Sequence, residues 1–119
     1  MQVQRGEIFS ACLDPVFGRE MGGFKARPVL VVSINPIARS RLVVVVPGTS
    51  TDRGEFSNIV AVQPSRDNGL SNITYFECHQ IRAIEQARLT SRSMGKLSPE
   101  DMARIEEAMA YCLGLPLPE

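Results

Sequence analysis

Two valine-rich runs joined by a short connection constrain the fold of this chain most strongly. The runs are residues 27–33 (RPVLVVS) and 41–50 (RLVVVVPGTS). Each run has the length of a β-strand and is too short to cross a membrane. Only seven residues separate Ser33 from Arg41, so the runs can pair as neighbouring antiparallel strands.

Such a pairing would bring the start of the first run beside the end of the second. Arg27 and Thr49 would then be neighbours at one rim of a sheet. A guanidinium matches phosphate oxygens with two parallel donors, and a hydroxyl adds another donor, so this rim is a candidate phosphate site. The alternative is that Arg27 only caps a sheet edge and Thr49 only ends a strand in a turn.

The whole chain, residues 1–119, is predicted to be a single domain that is mainly β with one C-terminal helix. Several short strands with little helix favour a barrel-like closure of the sheet. A glycine-containing loop is predicted at 14–26, and a turn or a single helical turn at 87–95. Further strands are predicted at 6–13, 58–63 and 74–84, the last with a bend near Cys78 and His79.

The C-terminal helix has the clearest local signals. Ser98 is a predicted N-cap, Pro99 suits the first helical position, and Asp101 follows the cap by three residues. Gly114 is predicted to end the helix. An apolar stripe at a spacing of three to four residues is predicted to face the core: Met102, Ile105, Met109, Cys112 and Leu113.

The charge distribution is uneven although the formal net charge is zero. Residues 1–96 hold 12 of the 13 basic and 8 of the 13 acidic groups, a net of +4, whereas residues 97–119 hold one basic and five acidic groups. Eleven of the basic groups are Arg, which favours planar, bidentate contacts with anions. The alternative is that surface charges merely segregate.

Three features of the sequence predict the cellular compartment of the protein: its cysteines, its N-terminus and its hydropathy. Cys12, Cys78 and Cys112 are widely spaced and odd in number, and are predicted to be buried thiols in a reducing cytoplasm. With only one His to join them, they predict no metal site. The polar N-terminus does not resemble a signal segment, and no apolar run is long enough for a membrane span.

A set of short motifs recurs in a familiar order along essentially the whole chain. This ordered set resembles the MazF/PemK family of bacterial toxins from type II toxin–antitoxin pairs. In sequence order the motifs are RGEI (5–8), LDP (13–15), GRE (18–20), RPVLVVS (27–33), VPGTS (46–50), QIRAI (80–84), LSPE (97–100) and the helix end LGL (113–115).

The resemblance implies an SH3-like small barrel of the PemK/CcdB type with a C-terminal helix, usually forming a homodimer. It also implies a cytoplasmic, sequence-specific endoribonuclease that cuts single-stranded RNA without metal or cofactor. The expected products are a cyclic phosphate and a free 5′-hydroxyl. A cognate antitoxin protein would neutralise the enzyme, and DNA would be contacted only indirectly through the antitoxin complex.

Three residues match catalytic positions of the family. Arg27 matches the Arg before the Pro and suits stabilisation of charge on the phosphorane. Thr49 matches the Thr of the Pro-x-Thr-Ser strand end, whose hydroxyl can donate to a phosphate oxygen. Glu20 matches a Glu of the first loop that contributes in some members; the alternative is a solvated loop acid.

Two positions depart from the family pattern. Gly48 replaces an aliphatic residue just before Thr49, which gives the backbone more freedom there. His79, the only His in the chain, replaces an acid before Gln80. An imidazole is a good proton shuttle at neutral pH, so His79 is a candidate for acid–base work. The alternative is a His that is satisfied locally or stacks on RNA.

Four further residues are predicted to bind RNA: Ser50, Gln80, Arg82 and Lys25. The alternatives are an exposed strand face for Gln80 and Arg82, and a turn hydrogen bond for Ser50.

Three other functions remain open from the sequence. A gyrase poison like CcdB shares the fold, but that family ends in Trp-Gly-Ile and this chain contains no Trp. An SH3-type peptide binder needs an aromatic-lined groove, and seven scattered aromatics fit this poorly. A family member that has lost activity and only binds its partner is the third possibility.

Overall fold

The computed structural model describes residues 2–22, 26–34 and 40–117. One antiparallel sheet of seven strands and one C-terminal helix make up the regular structure of these residues. The predicted class, mainly β with a C-terminal helix, is confirmed. The strands are β1 (Glu7–Ala11), β2 (Arg27–Val31), β3 (Leu42–Thr49), β4 (Ile59–Val62), β5 (Thr74–Glu77), β6 (Arg82–Glu85) and β7 (Gly95–Lys96), and the helix is α1 (Pro99–Leu113).

The long strand β3 organises the sheet. It pairs with β2 on one edge and with both β5 and β6 on the other, and the order across the sheet is β4-β5-β3-β2-β1-β7. The predicted antiparallel pairing of the two valine-rich runs is confirmed, with Val29 opposite Pro47 and Val31 opposite Val45. Continuing this register by two residues places Thr49 opposite Arg27. The two residues therefore end their strands at the same rim.

The sheet is curled into a half-barrel, and a buried core lies on each of its faces. Alternate residues of a strand point to opposite faces. Leu30 and Val46 belong to one core, which packs under α1 and includes Ile105. Val31 and Val45 belong to a second core on the other face, with Phe9 and Leu13 among its members. By the same alternation, Arg27 and Thr49 lie on the face of the second core.

The predicted strand at 74–84 is two strands, and this prediction is corrected. A 3₁₀ turn at Cys78–Gln80 separates β5 from β6. Along β3 the pairing register shifts by three residues between the two strands, which equals the length of the turn. The turn therefore leaves the sheet surface, and it carries His79 and Gln80 out of the strand ladder.

Gly48 is explained by close packing. It lies opposite Phe76 in the sheet, and an added Cβ would come within 2.6 Å of Thr74 Cγ2 and 3.0 Å of the Phe76 ring. The aromatic ring covers the place where a side chain would be. Gly48 is buried, so the freedom expected of a glycine before Thr49 is removed by this packing.

Helix α1 begins and ends where the sequence predicts. The Ser98 side chain accepts a hydrogen bond from the amide of Asp101, and Gly114 caps the C-terminus with φ 67°. That φ lies in the left-handed region that glycine adopts readily. The predicted apolar stripe is only partly right, since Ile105 is buried whereas Leu113 is exposed.

Two other predictions are corrected. Cys12 is exposed and Cys112 is half-buried, so only Cys78 is a buried thiol. The predicted turn or single helical turn at 87–95 is confirmed by a 3₁₀ turn at Gln86–Arg88 and is corrected only at Gly95, which belongs to strand β7 and pairs with β1. In the part of the chain that the structure describes, no helix has both the length and the apolar character to cross a membrane.

Candidate active site

A polar cleft of about 600 Å³ opens where three segments meet. These are the loop before β2, the loop after β3 and the 3₁₀ turn between β5 and β6. Four of the predicted site residues line the cleft together: Glu20, Arg27, His79 and Gln80. The other lining residues are Val16, Arg19, Met21, Gly22, Arg53 and Glu77.

Arg27 enters the cleft from the first residue of β2. Its side chain is half-buried, and its Nε–H donates to the carbonyl of Gly22. A guanidinium carries five N–H donors in one plane, so a bond at Nε fixes the plane of the whole group. The start of β2 and the preceding loop therefore hold Arg27 in a defined orientation.

The loop that carries Glu20 is fastened to the turn between β5 and β6. The amide of Met21 donates to Gln80 Oε1 at 3.0 Å, and Gln80 Nε2 donates to the carbonyl of Arg19 at 2.9 Å. Within the loop, Glu20 Oε1 accepts a hydrogen bond from the amide of Phe17 at 2.6 Å. Both polar atoms of the Gln80 amide thus bind backbone and position the loop.

His79 lies between an amide and a carboxylate. Asn58 Nδ2 is 2.7 Å from Nδ1 of the ring, and Glu77 Oε1 is 3.5 Å from Nε2. An amide nitrogen can only donate, so Nδ1 carries the lone pair and the proton of the neutral ring is on Nε2. The ring is 42% exposed, which leaves it accessible from the cleft.

The Glu77 carboxylate faces two nitrogen groups. Its side chain is only 11% exposed, with Oε1 towards His79 and Oε2 3.6 Å from Arg53 Nε. A carboxylate removed from water is costly unless charged or polar groups face it. The pair Arg53 and His79 supplies those groups.

Thr49 and Ser50 lie outside the set of residues that line this cleft. Thr49 is 4% exposed, and its Oγ1 accepts a hydrogen bond from the amide of Thr51 at 3.1 Å. The hydroxyl therefore shapes the turn after β3 at the same rim as Arg27. Ser50 is exposed and lines a smaller cavity of about 200 Å³ with Thr74 and Ser10.

Arg82 and Lys25 are the remaining two residues predicted to bind RNA. Arg82 is half-buried in β6, and its Nη1 makes a long contact of 3.5 Å with the carbonyl of Leu13. It is not among the residues that line the cleft. Lys25 lies outside the described residues.

The sequence reasoning missed Asn58, Glu77 and Arg53. Asn58 and Arg53 contact the cluster from segments more than 20 residues away in the chain, so no local pattern relates them to His79. Glu77 does have a weak signal, since it stands two residues before His79 near a strand end. That spacing alone would have suggested a carboxylate beside the imidazole.

Two of the three cysteines, Cys78 and Cys112, are not suited to nucleophilic chemistry. Burial, together with the nearby Cys112, raises the pKa of the Cys78 thiol to about 12, and burial also raises the pKa of Cys112. A thiol with a raised pKa supplies little thiolate near neutral pH. Across the described ranges, no three or more His, Cys, Asp or Glu side chains are grouped to hold a metal ion.

The fold and the cleft together define a small half-barrel protein with an arginine-bearing site suited to a phosphate. The chain matches the family model of the PemK-like, MazF-like toxins of type II toxin–antitoxin systems over residues 4–113. It belongs to this family.

Individual relatives agree over nearly the whole length. Endoribonuclease EndoA of Bacillus subtilis is 31% identical over 117 residues, 97% of each chain. A probable endoribonuclease MazF of Mycolicibacterium smegmatis is 28% identical over 113 residues, which are 95% of this chain and 98% of that protein. A mycobacterial endoribonuclease in complex with its cognate antitoxin superposes with a TM-score of 0.76 at 29% identity, over 98% of this chain and 100% of that one.

Proposed function

We propose that this chain is the toxin of a type II toxin–antitoxin pair and acts as a metal-independent endoribonuclease on single-stranded RNA in the bacterial cytoplasm. The observation that carries the proposal is the cleft in which Arg27, Glu20 and His79 meet in a chain of this family. Relatives over nearly its full length bear the name endoribonuclease, which supports the activity.

The reaction uses the 2′-hydroxyl of the substrate as the nucleophile. The 2′-oxygen attacks the adjacent phosphorus, the bond from phosphorus to the 5′-oxygen breaks, and a cyclic phosphate and a 5′-hydroxyl result. Negative charge builds on the phosphoryl oxygens, and the oriented Arg27 guanidinium stabilises it. The Thr49 hydroxyl acts at the same rim, where it can donate to a phosphate oxygen while accepting from the Thr51 amide.

His79 is assigned the proton transfer from the 2′-hydroxyl. Its Nδ1 holds a lone pair that accepts a hydrogen bond from Asn58, and the 2′-hydroxyl would replace that amide as the donor. The proton of the hydroxyl then moves to Nδ1, and the departing 5′-oxygen takes a proton from water. The hydroxide that is left takes the proton from Nδ1, which restores the neutral ring. Glu20 lines the same cleft and is the second candidate for the base.

Further contacts bind the RNA on either side of the reacting phosphate. Ser50, Gln80, Arg82 and Lys25 are proposed for this role. Gln80 contributes mainly by holding the Glu20 loop against the cleft, since both polar atoms of its amide bond to that loop. No metal or other cofactor is needed, because the nucleophile belongs to the substrate and the protein supplies the charge and the proton acceptor.

Cleavage in a chelator tests this function. The purified protein is expected to cut a long single-stranded RNA at the same rate in excess EDTA as in magnesium. The control is a metal-dependent ribonuclease in the same buffer, which EDTA should stop. Loss of cleavage in EDTA that magnesium restores would contradict the metal-free chemistry.

The partner that regulates the enzyme is a cognate antitoxin. A partly disordered, acidic segment of it covers the cleft near Arg27 and excludes RNA. The cleft suits an acidic segment because it is lined by Arg19, Arg27 and Arg53. A similar protein was solved together with its cognate antitoxin, which supports such a complex. Contact with DNA occurs only through the antitoxin.

The toxin acts as a homodimer whose second copy covers a groove between α1 and the loop before β4. This groove, of about 740 Å³, is lined by the exposed apolar side chains of Phe56, Tyr111 and Leu117 and by the charged Arg104 and Glu107. Both charge signs are present, so Arg104 of one copy can face Glu107 of the other across a two-fold interface.

Light scattering on a sizing column is expected to give twice the chain mass of 13.1 kDa. Tyr111→Glu is expected to give the single-chain mass, because it puts a charge into the apolar contact. A single-chain mass for the unchanged protein at micromolar concentration would contradict the dimer. If Tyr111→Glu still has the mass of two chains, the dimer forms through another surface.

A further inference from the structure

A second arginine reaches the cleft from the loop that follows β3. We propose that Arg53 binds a phosphate of the RNA backbone next to the phosphate held by Arg27, and that Glu77 positions it. This inference rests on the proposed function for the identity of the ligand, a single-stranded RNA.

The Arg53 side chain is partly exposed to solvent and also forms an ion pair with Glu77. Arg53 lines the cleft together with Arg27, and its side chain is 46% exposed. Its Nε is 3.6 Å from Oε2 of Glu77, whose side chain is 11% exposed. The buried carboxylate therefore holds one part of a guanidinium that also faces solvent in the cleft. A planar group held in this way can offer its other N–H donors to an anion.

Hydrogen bonds shape the loop on both sides of Arg53. Before it, the amide of Thr51 donates to Thr49 Oγ1 at 3.1 Å. After it, the amide of Gly54 donates to Asp52 Oδ1 at 2.8 Å. The Asp52 carboxylate also lies near the Tyr75 hydroxyl of β5. The pKa of the Tyr75 hydroxyl is raised by burial and then by the charge of Asp52.

These contacts make Arg53 a pre-organised ligand for phosphate. An arginine on a free loop loses conformational entropy when it binds, whereas a loop already held by hydrogen bonds loses less. Phosphates recur at every nucleotide of a single strand, so two arginines in one cleft can hold two of them. Arg53 thus adds affinity and fixes the register of the strand, without touching the reacting atoms.

Binding of an RNA that cannot be cut tests this role apart from catalysis. A 2′-O-methyl single strand lacks the nucleophile, and its dissociation constant is measured at several salt concentrations. Arg53→Gln is expected to weaken binding about tenfold at low salt, and to reduce the slope of log affinity against log salt by about 0.7, the value for one phosphate contact on a single strand. Arg53→Lys keeps the charge and is expected to restore the slope.

The matched control is Arg66→Gln, which removes an exposed arginine from the loop between β4 and β5, outside the cleft. This variant is expected to change the affinity by no more than about twofold and to leave the slope of log affinity against log salt unchanged. Equal affinities and slopes for Arg53→Gln and Arg66→Gln would overturn the role of Arg53, even if the protein cuts RNA. Failure of the protein to cut natural RNA, with the Arg53 effect intact, would overturn the proposed function alone. No binding of the 2′-O-methyl strand by a protein that cuts the same sequence in natural RNA would overturn the role of Arg53 alone, and neither binding nor cutting would overturn both.

Discussion

Replacing Arg27 by alanine is expected to lower kcat for RNA cleavage by about 10²–10³-fold, the usual loss when one oriented donor to a charged transition state is removed. The physical reason is that the Arg27 guanidinium faces charge that develops only as the phosphorus is attacked. Its orientation depends on the bond from Nε to the Gly22 carbonyl, so the group is in place before the substrate arrives. Single-turnover cleavage of a defined RNA measures the effect.

The control for Arg27 is Arg66→Ala, because Arg66 is exposed and lies outside the cleft. This variant is expected to cut at the parental rate. Arg27→Ala is also expected to change the free energy of unfolding by only about 1 kcal/mol, since it removes one hydrogen bond of a half-buried side chain. If Arg27→Ala cuts RNA at the parental rate, Arg27 does not take part in the mechanism.

Replacing Phe76 by alanine is expected to lower the free energy of unfolding by about 3–5 kcal/mol, as is typical when a large aromatic side chain leaves a core. Phe76 is 0% exposed and belongs to the core under α1. Its ring also covers Gly48, which has no side chain to fill the space. The cavity would therefore open beside β3, the strand on which most of the sheet depends. Urea denaturation gives the free energy, and an unchanged m-value shows that unfolding remains two-state.

Phe17→Ala is the matched control, since Phe17 is 87% exposed. It removes the same atoms from the surface and is expected to change stability by no more than about 0.5 kcal/mol. A loss below about 1 kcal/mol for Phe76→Ala would mean that the core does not depend on this ring, since a collapsed cavity still forfeits buried apolar area.

The parts of the fold that the sequence predicts are those with strong local signals. The pairing of β2 with β3 follows from two apolar runs and a short connection, and the ends of α1 follow from Ser98 and Gly114. The sequence predicts a bend near Cys78 and His79, but not the full break between β5 and β6, because the pairing register along β3 decides that break. Leu113 fits the helical stripe, but it is the last residue of α1 and its side chain is exposed.

The candidate site is predictable to a similar extent. The sequence predicts that Arg27 and Thr49 lie at one rim. The family resemblance adds Glu20, and His79 is singled out because it departs from the family pattern. What the sequence could not supply is the set of side chains that surround the imidazole. Asn58 is 21 residues from His79 in the chain and meets it only because β4 pairs with β5. Glu77 likewise lies opposite Ile59 of β4, which is distant from it in the chain.

The chemical ends of the cleaved RNA test the central claim most directly. A single-stranded RNA is incubated with the protein in EDTA, and both ends at each new break are identified by enzymatic labelling and mass spectrometry. Attack by the 2′-hydroxyl predicts a 2′,3′-cyclic phosphate on one fragment and a free 5′-hydroxyl on the next, and Arg27→Ala is expected to form such breaks about 10²–10³-fold more slowly. A 5′-phosphate with a free 3′-hydroxyl would show that water or another nucleophile attacks the phosphorus, and would contradict the mechanism.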